Sequence, residues 1–268
     1  MLHRIAVAQA HPRIGDVPVN VAHCIDLMEQ AARAGAELVV LPELAITGYH
    51  LSDASEFRSV LSLGTGIPEI AAASKRLSLL VVVGYADIEG DCVLNKAVLI
   101  QDGVILGDYV KTHLWNTEKE IFTPGHKLPE VITTRIGKVA LAICYDLEFP
   151  ELLQHCGRLG AELVAAPTNW PGGAEPPTAT GPFNIELIRA MANASFARVF
   201  IAIACRTGEE RGADWIDASC VIDPDGFPIA RTQIGVDIAY ADCDFSHTQN
   251  KNVSPRNNVF TDRRDDLY

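Results

Sequence analysis

No apolar run in the 268-residue chain approaches the roughly 20 residues that a bilayer-spanning helix needs, which argues against an integral helical membrane protein. The amino terminus, MLHRIAVAQAHPRIGD, lacks a proper apolar core and a small-residue cleavage site, so it reads as a first strand and not as a signal peptide. Basic residues are scarce. Against 34 Asp and Glu stand only 22 Lys and Arg, and a net charge of −12 excludes neither fold nor enzyme but argues against nucleic acid and anionic membrane surfaces as partners. Metal-ligand spacings are missing as well: the eight histidines form no HxH or HExxH and there is no CxxC, so neither a metal nor a cofactor is expected. The cysteines are seven, odd in number and scattered (24, 92, 144, 156, 205, 220, 243), which is no disulfide framework and fits a reducing cytoplasm.

What the chain does have is apolar mass, 48% of its residues, organised in short β-branched runs. Strands this apolar must be covered on both faces. The intervening patterns, NVAHCIDLMEQAARAG (20–35) and IPEIAAASKRLS (67–78), are apolar on one side only, as surface helices are. Two sheets face to face with helices outside satisfies both patterns. The two halves also repeat one another. AGAELVVLPE (34–43) returns as LGAELVAAPT (159–168), RIAVAQAHP (4–12) parallels KVALAICYD (138–146), and LLVVVGYAD (79–87) parallels VFIAIACRTG (199–208). NKAVLIQDGVIL (95–106) matches DASCVIDPDGFPIA (217–230), each a hairpin with an Asp-Gly turn. Four matches in register imply a duplicated unit. With no Pro- or Ser-rich linker between the halves, residues 1–250 read as one domain and 251–268 as a tail.

The chemistry-bearing residues stand where apolar strands stop. VALAICYDLEFPELL (139–153) ends its β-branched run at Cys144, ahead of a helical pattern, and backbone N–H groups at such a turn can face an anion. A cysteine in an apolar run is ordinarily inert core filling. The balance shifts because AELVVLPEL (36–44) closes on Glu43, and the second arm of the 95–115 hairpin is followed by Lys111. In an open α/β sheet such strand ends share one crevice.

LPELAITGY around Glu43, YVKTHLW around Lys111 and ICYDLEFPE around Cys144 resemble, in order and separation, the three signatures of the nitrilase superfamily, the carbon–nitrogen hydrolases. The resemblance spans nearly the whole chain, from RIAVAQAHP to DRRDDLY. It implies a four-layer αββα sandwich of two pseudo-symmetric halves and a Glu-Lys-Cys triad that attacks amides or nitriles through a thioester. A second family glutamate falls, in EKEIFTPG, on Glu118, with Glu120 as the competing position. In that scheme Cys144 is the nucleophile, its thiolate favoured by Lys111, and Glu43 exchanges the proton. Lys111 and the Tyr145 N–H would stabilise the oxyanion. Glu118 would orient the amide or hold Lys111. Tyr49, His113, Trp115, Tyr145, Asn169 and Trp170 are the candidate substrate contacts, the last two because the repeat sets them opposite Glu43. The loop NWPGGAEPPTATGPF (169–183) is expected to border the site. In RAMAN, Ala192 stands where the family often has glutamate, beside Arg189 and Asn193.

Within that family the short chain with CYDLEFPE resembles the small aliphatic and ω-amidases, which implies a small primary carboxamide as substrate, with a nitrilase or N-carbamoyl amine hydrolase as the alternative. A scaffold protein with a vestigial site would have lost a triad residue, and all three are present. The tail KNVSPRNNVFTDRRDDLY is too polar for a core of its own yet carries Val259, Phe260, Leu267 and Tyr268. A homodimer or a higher even oligomer with the tail at the seam is expected.

Overall fold

A computed structural model describes residues 1–172 and 183–267. Most of the expected site-bordering loop, and Tyr268, lie outside the described residues. The first half runs β1 (Leu2–Gln9), α1 (Val17–Arg33), β2 (Leu38–Val40), α2 (Ala54–Leu61), α3 (Ile67–Leu77), β3 (Leu80–Glu89), β4 (Cys92–Gln101) and β5 (Val104–Val110). One turn of helix, α4 (Glu118–Ile121), leads to the second half. This comprises β6 (Val131–Thr134), β7 (Gly137–Leu141), α5 (Pro150–Arg158), β8 (Leu163–Pro167), α6 (Ile185–Ala197) and β9 (Phe200–Ala204). A small hairpin of β10 (Glu209–Glu210) and β11 (Ala213–Asp214) follows, then β12 (Cys220–Ile222), β13 (Pro228–Arg231) and β14 (Asp237–Asp244).

The sheet orders are β14-β1-β2-β3-β4-β5 and β13-β12-β9-β8-β7-β6. Each has a parallel trio, β1-β2-β3 and β7-β8-β9, extended by an antiparallel hairpin and closed on its other side by an antiparallel strand. The strand registers reproduce the sequence repeat residue for residue. Ile5 pairs with Leu38 and Leu38 with Leu80 in the first sheet. Their counterparts Val139, Leu163 and Phe200 line up in the second.

Because strand side chains alternate faces, each central strand is divided between two cores. Ile5, Val7, Leu38, Val40, Leu80 and Val82 point inward and pack with Val139, Leu141 and Leu163 of the opposite sheet. Ala6, Ala8, Val39, Leu41, Val81 and Val83 point outward beneath α1 and α3. This is the αββα sandwich. Helix α1 meets the sheet with Val17, Val21, Cys24, Leu27, Met28 and Ala31, the three-and-four spacing of one helical face. The β4–β5 hairpin turns on Asp102 (φ 51°) and Gly103 (φ 84°), the left-handed pair that a two-residue turn demands.

The tail forms a hairpin of β15 (Asn252–Ser254) and β16 (Asn257–Asn258) and then lies along α5. Phe260 docks on its own subunit: Arg158 and Lys251 sit 5.8 and 5.6 Å from its ring centre, and a Cβ at Gly157 would come within 3.0 Å of it. That anchor is used within the chain, because Gly157 leaves the room for it. Leu267 remains 68% exposed.

One close approach ties the core directly to Glu43. Gly84 of β3 donates its N–H to Pro42 O (3.1 Å) and accepts from Ala45 N (2.9 Å), so the 42–45 turn rests on it. A Cβ there would meet Glu43 Cα at 2.5 Å and Pro42 O at 2.7 Å. Since backbone cannot yield as a side chain does, Gly84→Ala is expected to cost about 1–3 kcal/mol. Thermal unfolding should show a lower Tm, and a Tm equal to wild type would mean that the turn adapts freely.

Candidate active site

Four buried ionisable side chains converge between the two sheets: Glu43, Lys111, Glu118 and Cys144. Glu43 stands two residues beyond Leu41, whose N–H still bonds Val82 O, and Leu44 turns the chain with φ 48°. Lys111 follows β5, held by bonds from its N–H to Asn95 O (2.9 Å) and from Gly125 N to its own carbonyl (2.8 Å). Glu118 is the first residue of α4. Cys144 opens a 3₁₀ turn, Cys144–Glu148, that bridges β7 to α5. Its own φ is 48°, a left-handed conformation uncommon for a residue with a side chain and one that clusters at functional turns.

The hydrogen bonds show how the cluster is wired. Lys111 Nζ donates to Glu43 Oε1 (2.7 Å) and to Glu118 Oε1 (2.8 Å). Glu43 Oε1 also accepts from Asn95 Nδ2 (2.7 Å), whereas Glu43 Oε2, equally buried, has no partner among the described residues. Glu118 is fully engaged: Oε1 accepts the Tyr49 hydroxyl (2.6 Å) and Oε2 the N–H of Trp115 (2.8 Å). Glu120, one helical step on, is exposed and lines a surface hollow of about 380 Å³ with His50, Thr117 and Arg211. The one-turn helix therefore separates two glutamates that composition alone does not distinguish.

Asn169 joins the two sides of the cluster. Its Nδ2 donates to the Glu43 carbonyl (2.8 Å), and its own carbonyl accepts the Cys144 thiol (3.5 Å). The strand registers make Thr168 the strict counterpart of Glu43, so Asn169 lies one residue beyond that point. Asp146 is a residue that sequence reasoning missed. One of its oxygens accepts from Ile143 N (3.0 Å); the other takes Thr112 Oγ1 (3.0 Å), His113 N (3.0 Å) and His113 Nδ1 (2.7 Å). It thus fastens the Cys144 turn to the segment that carries Lys111. Asn95 was missed as well, since an amide inside a strand pattern gives no sign of what it faces. From α6, Asn193 Nδ2 bonds Leu147 O (2.8 Å) and Arg189 pairs with Glu148, so both brace the same turn without the glutamate that Ala192 replaces.

The other candidate contacts divide. Tyr49 touches the cluster through Glu118, and Trp115 (40% exposed) stands edge-on to Tyr145 at 4.9 Å. His113 stacks on Phe149 at 3.7 Å and bonds Asp146, which makes it a support of the turn. Trp170 is buried, its Nε1 without a partner among the described residues. A cavity of about 580 Å³ beside Gly107–Val110 and Thr123–Leu128 contains none of the four clustered groups.

Burial shapes the acid–base chemistry. It pushes the Glu43 carboxyl up to about 7, against the pull of the Lys111 ammonium and with the push of Glu118. Lys111 stays charged: burial alone would discharge it, but Glu43 and Glu118 hold its pKa well above the usual value. Cys144 differs from the sequence expectation of a stabilised thiolate. Burial first, then the Glu43 charge, raise the thiol well above its ordinary pKa, with Glu118 adding to them, and the opposing pull of the Lys111 ammonium does not offset them.

With this geometry established, similarity to known proteins can be set beside it. The family model described as carbon–nitrogen hydrolase matches residues 4–252. A nitrilase of Pyrococcus abyssi is 30% identical over 99% of this chain and 98% of its own. Deaminated glutathione amidase of Bos taurus is 30% identical over 94% of this chain and 80% of its own. Among solved structures, a mutant amidase from Nesterenkonia sp. AN1 superposes with a TM-score of 0.81 at 25% identity, covering 99% of this chain and 95% of that one. That structure carries the acetamide moiety of fluoroacetamide covalently added at its active-site cysteine.

The contrast between the two glutamates is directly testable. Glu118→Ala frees one side of Lys111 and strands the Tyr49 hydroxyl, and it should lower carbon–nitrogen hydrolysis by at least about tenfold. Glu120→Ala should stay within about twofold of wild type, as exposed substitutions usually do. Steady-state rates on one short amide decide between them, and a larger loss for the Glu120 variant would reverse the assignment.

Proposed function

The chain belongs to the carbon–nitrogen hydrolase family, and from that premise we propose that it hydrolyses a small primary carboxamide to the carboxylic acid and ammonia through a thioester on Cys144. The observation that carries this reading is the buried cluster in which Glu43 has one oxygen bonded to Lys111 and the other without a partner among the described residues, while Asn169 ties the Cys144 thiol to the Glu43 backbone. In the proposed reaction Cys144 Sγ attacks the carbonyl carbon while its proton passes to Glu43. The tetrahedral oxyanion is met by Lys111. An ammonium has three N–H donors, two are used by Glu43 and Glu118, and the third has no partner among the described residues. The Tyr145 N–H is the second donor. Glu43 returns the proton to the departing nitrogen as the C–N bond breaks, leaving the acyl thioester. It then deprotonates water for attack on that carbonyl and reprotonates the sulfur as the acid leaves.

Two features favour a small neutral amide. Lys111 is neutralised by two carboxylates and so offers no free cation to an anionic substrate. The adduct in the Nesterenkonia amidase derives from a two-carbon amide. Tyr49, Trp115 and Tyr145 would wall the acyl group, and Asn169 and Trp170 would close the opposite side.

Residues 1–250 are taken as the hydrolase domain and 251–268 as the tail. Among the described residues no helix is long and apolar enough to cross a membrane, and all seven cysteines are free, in keeping with a reducing cytoplasm. The exposed Ile185, Ile188 and Phe196 of α6 favour an even oligomer, with the tail beside the contact. Light scattering should give a multiple of the 29.0 kDa chain, and a monodisperse monomer at micromolar concentration would refute it.

Cys144→Ala is expected to abolish ammonia release from short amides in a folded protein, and retention of even about a tenth of the activity would sink the covalent mechanism. Glu43→Gln and Lys111→Met should each lower kcat by at least about a hundredfold; a change confined to KM would recast that residue as a binding group.

The pH profile follows from Glu43. Its carboxylate is the proton acceptor and is lost as pH falls through about 7, so kcat/KM should decline on the acid side with a midpoint near that value. In Lys111→Met the ammonium no longer pulls the carboxyl down, and the midpoint should move to higher pH. A midpoint near 4.5 in the wild type would show that another group governs the limb.

A further inference from the structure

A second buried ion pair lies behind Tyr49, outside the four-residue cluster. Arg206, just past β9, and Glu210 of β10 are 1% and 5% exposed, and Arg206 Nη2 donates to Glu210 Oε2 at 2.6 Å. The same guanidinium lies over the Trp215 ring at 4.7 Å and reaches Pro12 O at 3.3 Å. A buried pair of this kind is poor evidence for stability, because well-packed apolar residues serve as well or better. What an apolar residue cannot do is accept hydrogen bonds. Glu210 Oε1 accepts two consecutive backbone N–H groups, those of Tyr49 (2.8 Å) and His50 (2.5 Å).

The surroundings are fitted to that carboxylate. Gly48 has φ +80°, and a Cβ there would stand 2.9 Å from Glu210 Oε2 and 2.8 Å from Ile14 Cα. Trp215 packs edge-on to Tyr49 at 5.1 Å and tilted on His50 at 5.3 Å. It is held in turn by its bridge to Pro171 and by the Ile216 N–H on Trp170 O (2.9 Å). Tyr49 is therefore fixed by its backbone and ring on one side, and its hydroxyl is delivered to Glu118 on the other.

We infer that Glu210, locked by Arg206, is a positioning residue for the hydrolysis proposed above: it sets the Tyr49–His50 backbone, and through the Tyr49 hydroxyl it sets Glu118 and Lys111. Glu210 touches no reacting atom. Its effect is geometric and falls on kcat, since displacing a catalytic group by about 1 Å costs up to about a hundredfold.

The test combines Glu210→Ala, the shape-conserving Glu210→Gln, Tyr49→Phe and the Glu210→Ala/Tyr49→Phe double variant, each checked for a cooperative thermal transition. Two readouts are taken: kcat and KM for a short primary amide, and the rate at which iodoacetamide alkylates Cys144, followed by intact mass. The second needs no turnover. Glu210→Ala should lower kcat by at least about tenfold with KM within about twofold, and Glu210→Gln, which keeps an acceptor oxygen, should lose less. Both variants should slow alkylation, and the double variant should be no worse than the poorer single one, because the two residues act through one contact.

A folded Glu210→Ala or Glu210→Gln enzyme whose kcat and alkylation rate match wild type overturns the inference, and so does an additive loss in the double variant. Should the wild type hydrolyse no amide while the alkylation pattern holds, the proposed reaction falls and the positioning role stands. Should the amide be hydrolysed at unchanged kcat in the Glu210 variants, the converse is true.

Discussion

Everything at this site depends on one ammonium group shared by two carboxylates in a buried cluster. Lys111, Glu43 and Glu118 are each at most 2% exposed, and removing such charges from water costs several kcal/mol apiece unless every lone pair and proton is met. The structure meets almost all of them. Asn95 and Lys111 satisfy one oxygen of Glu43, and Tyr49, Lys111 and the Trp115 N–H satisfy Glu118. Among the described residues Glu43 Oε2 has no donor, and Lys111 keeps one N–H beyond the two taken by Glu43 and Glu118. A buried acceptor left without a donor costs about 1–3 kcal/mol, and in the proposed reaction a proton would reach that oxygen from the thiol.

Duplication explains both where the site lies and why there is one and not two. Each half ends its parallel strands at a comparable crevice, but the halves differ at those ends. The counterpart of Glu43 is Thr168, and the counterpart of Cys144 is Ala10. The first half and its connector supply the acid–base and cationic groups, while the second supplies the thiol on a braced 3₁₀ turn. Asp146 and Asn169 cross between them. Neither half holds the set alone.

How much of this the sequence displays depends on the range of the interaction. The strands, the Asp-Gly turns and the duplicated order are local patterns, and the observed registers follow them. Glu43, Lys111 and Cys144 are legible because each stands at the end of an apolar run and the family signatures enclose all three. Glu118 and Glu120 are harder: a four-residue helix is too short to display a period, and only tertiary contacts tell the buried glutamate from the exposed one. His113 reads in sequence as either a strand-end support or a substrate contact, and its bond to Asp146 is visible only in space. Phe260 shows the same limit, since nothing near it in sequence says that Gly157 leaves a place for its ring. Arg206 and Glu210 sit in an unremarkable CRTGEE stretch, and their relation to Tyr49 spans most of the chain.

The protonation of the cluster sets the order of events. Burial and the Glu43 charge keep Cys144 a thiol at rest, and Glu43, near 7, is divided between its two forms at neutral pH. A free thiolate in this buried cluster would face two carboxylates with a single ammonium, a net negative charge in a poorly solvated space. In the proposed reaction, moving the proton from sulfur to Glu43 as the sulfur attacks would avoid that state, because the negative charge would pass onward to the substrate oxygen beside the Lys111 ammonium. The cysteine becomes nucleophilic only when a carbonyl is in place to receive the charge, which is how a buried thiol with a raised pKa serves as the nucleophile of the proposed reaction.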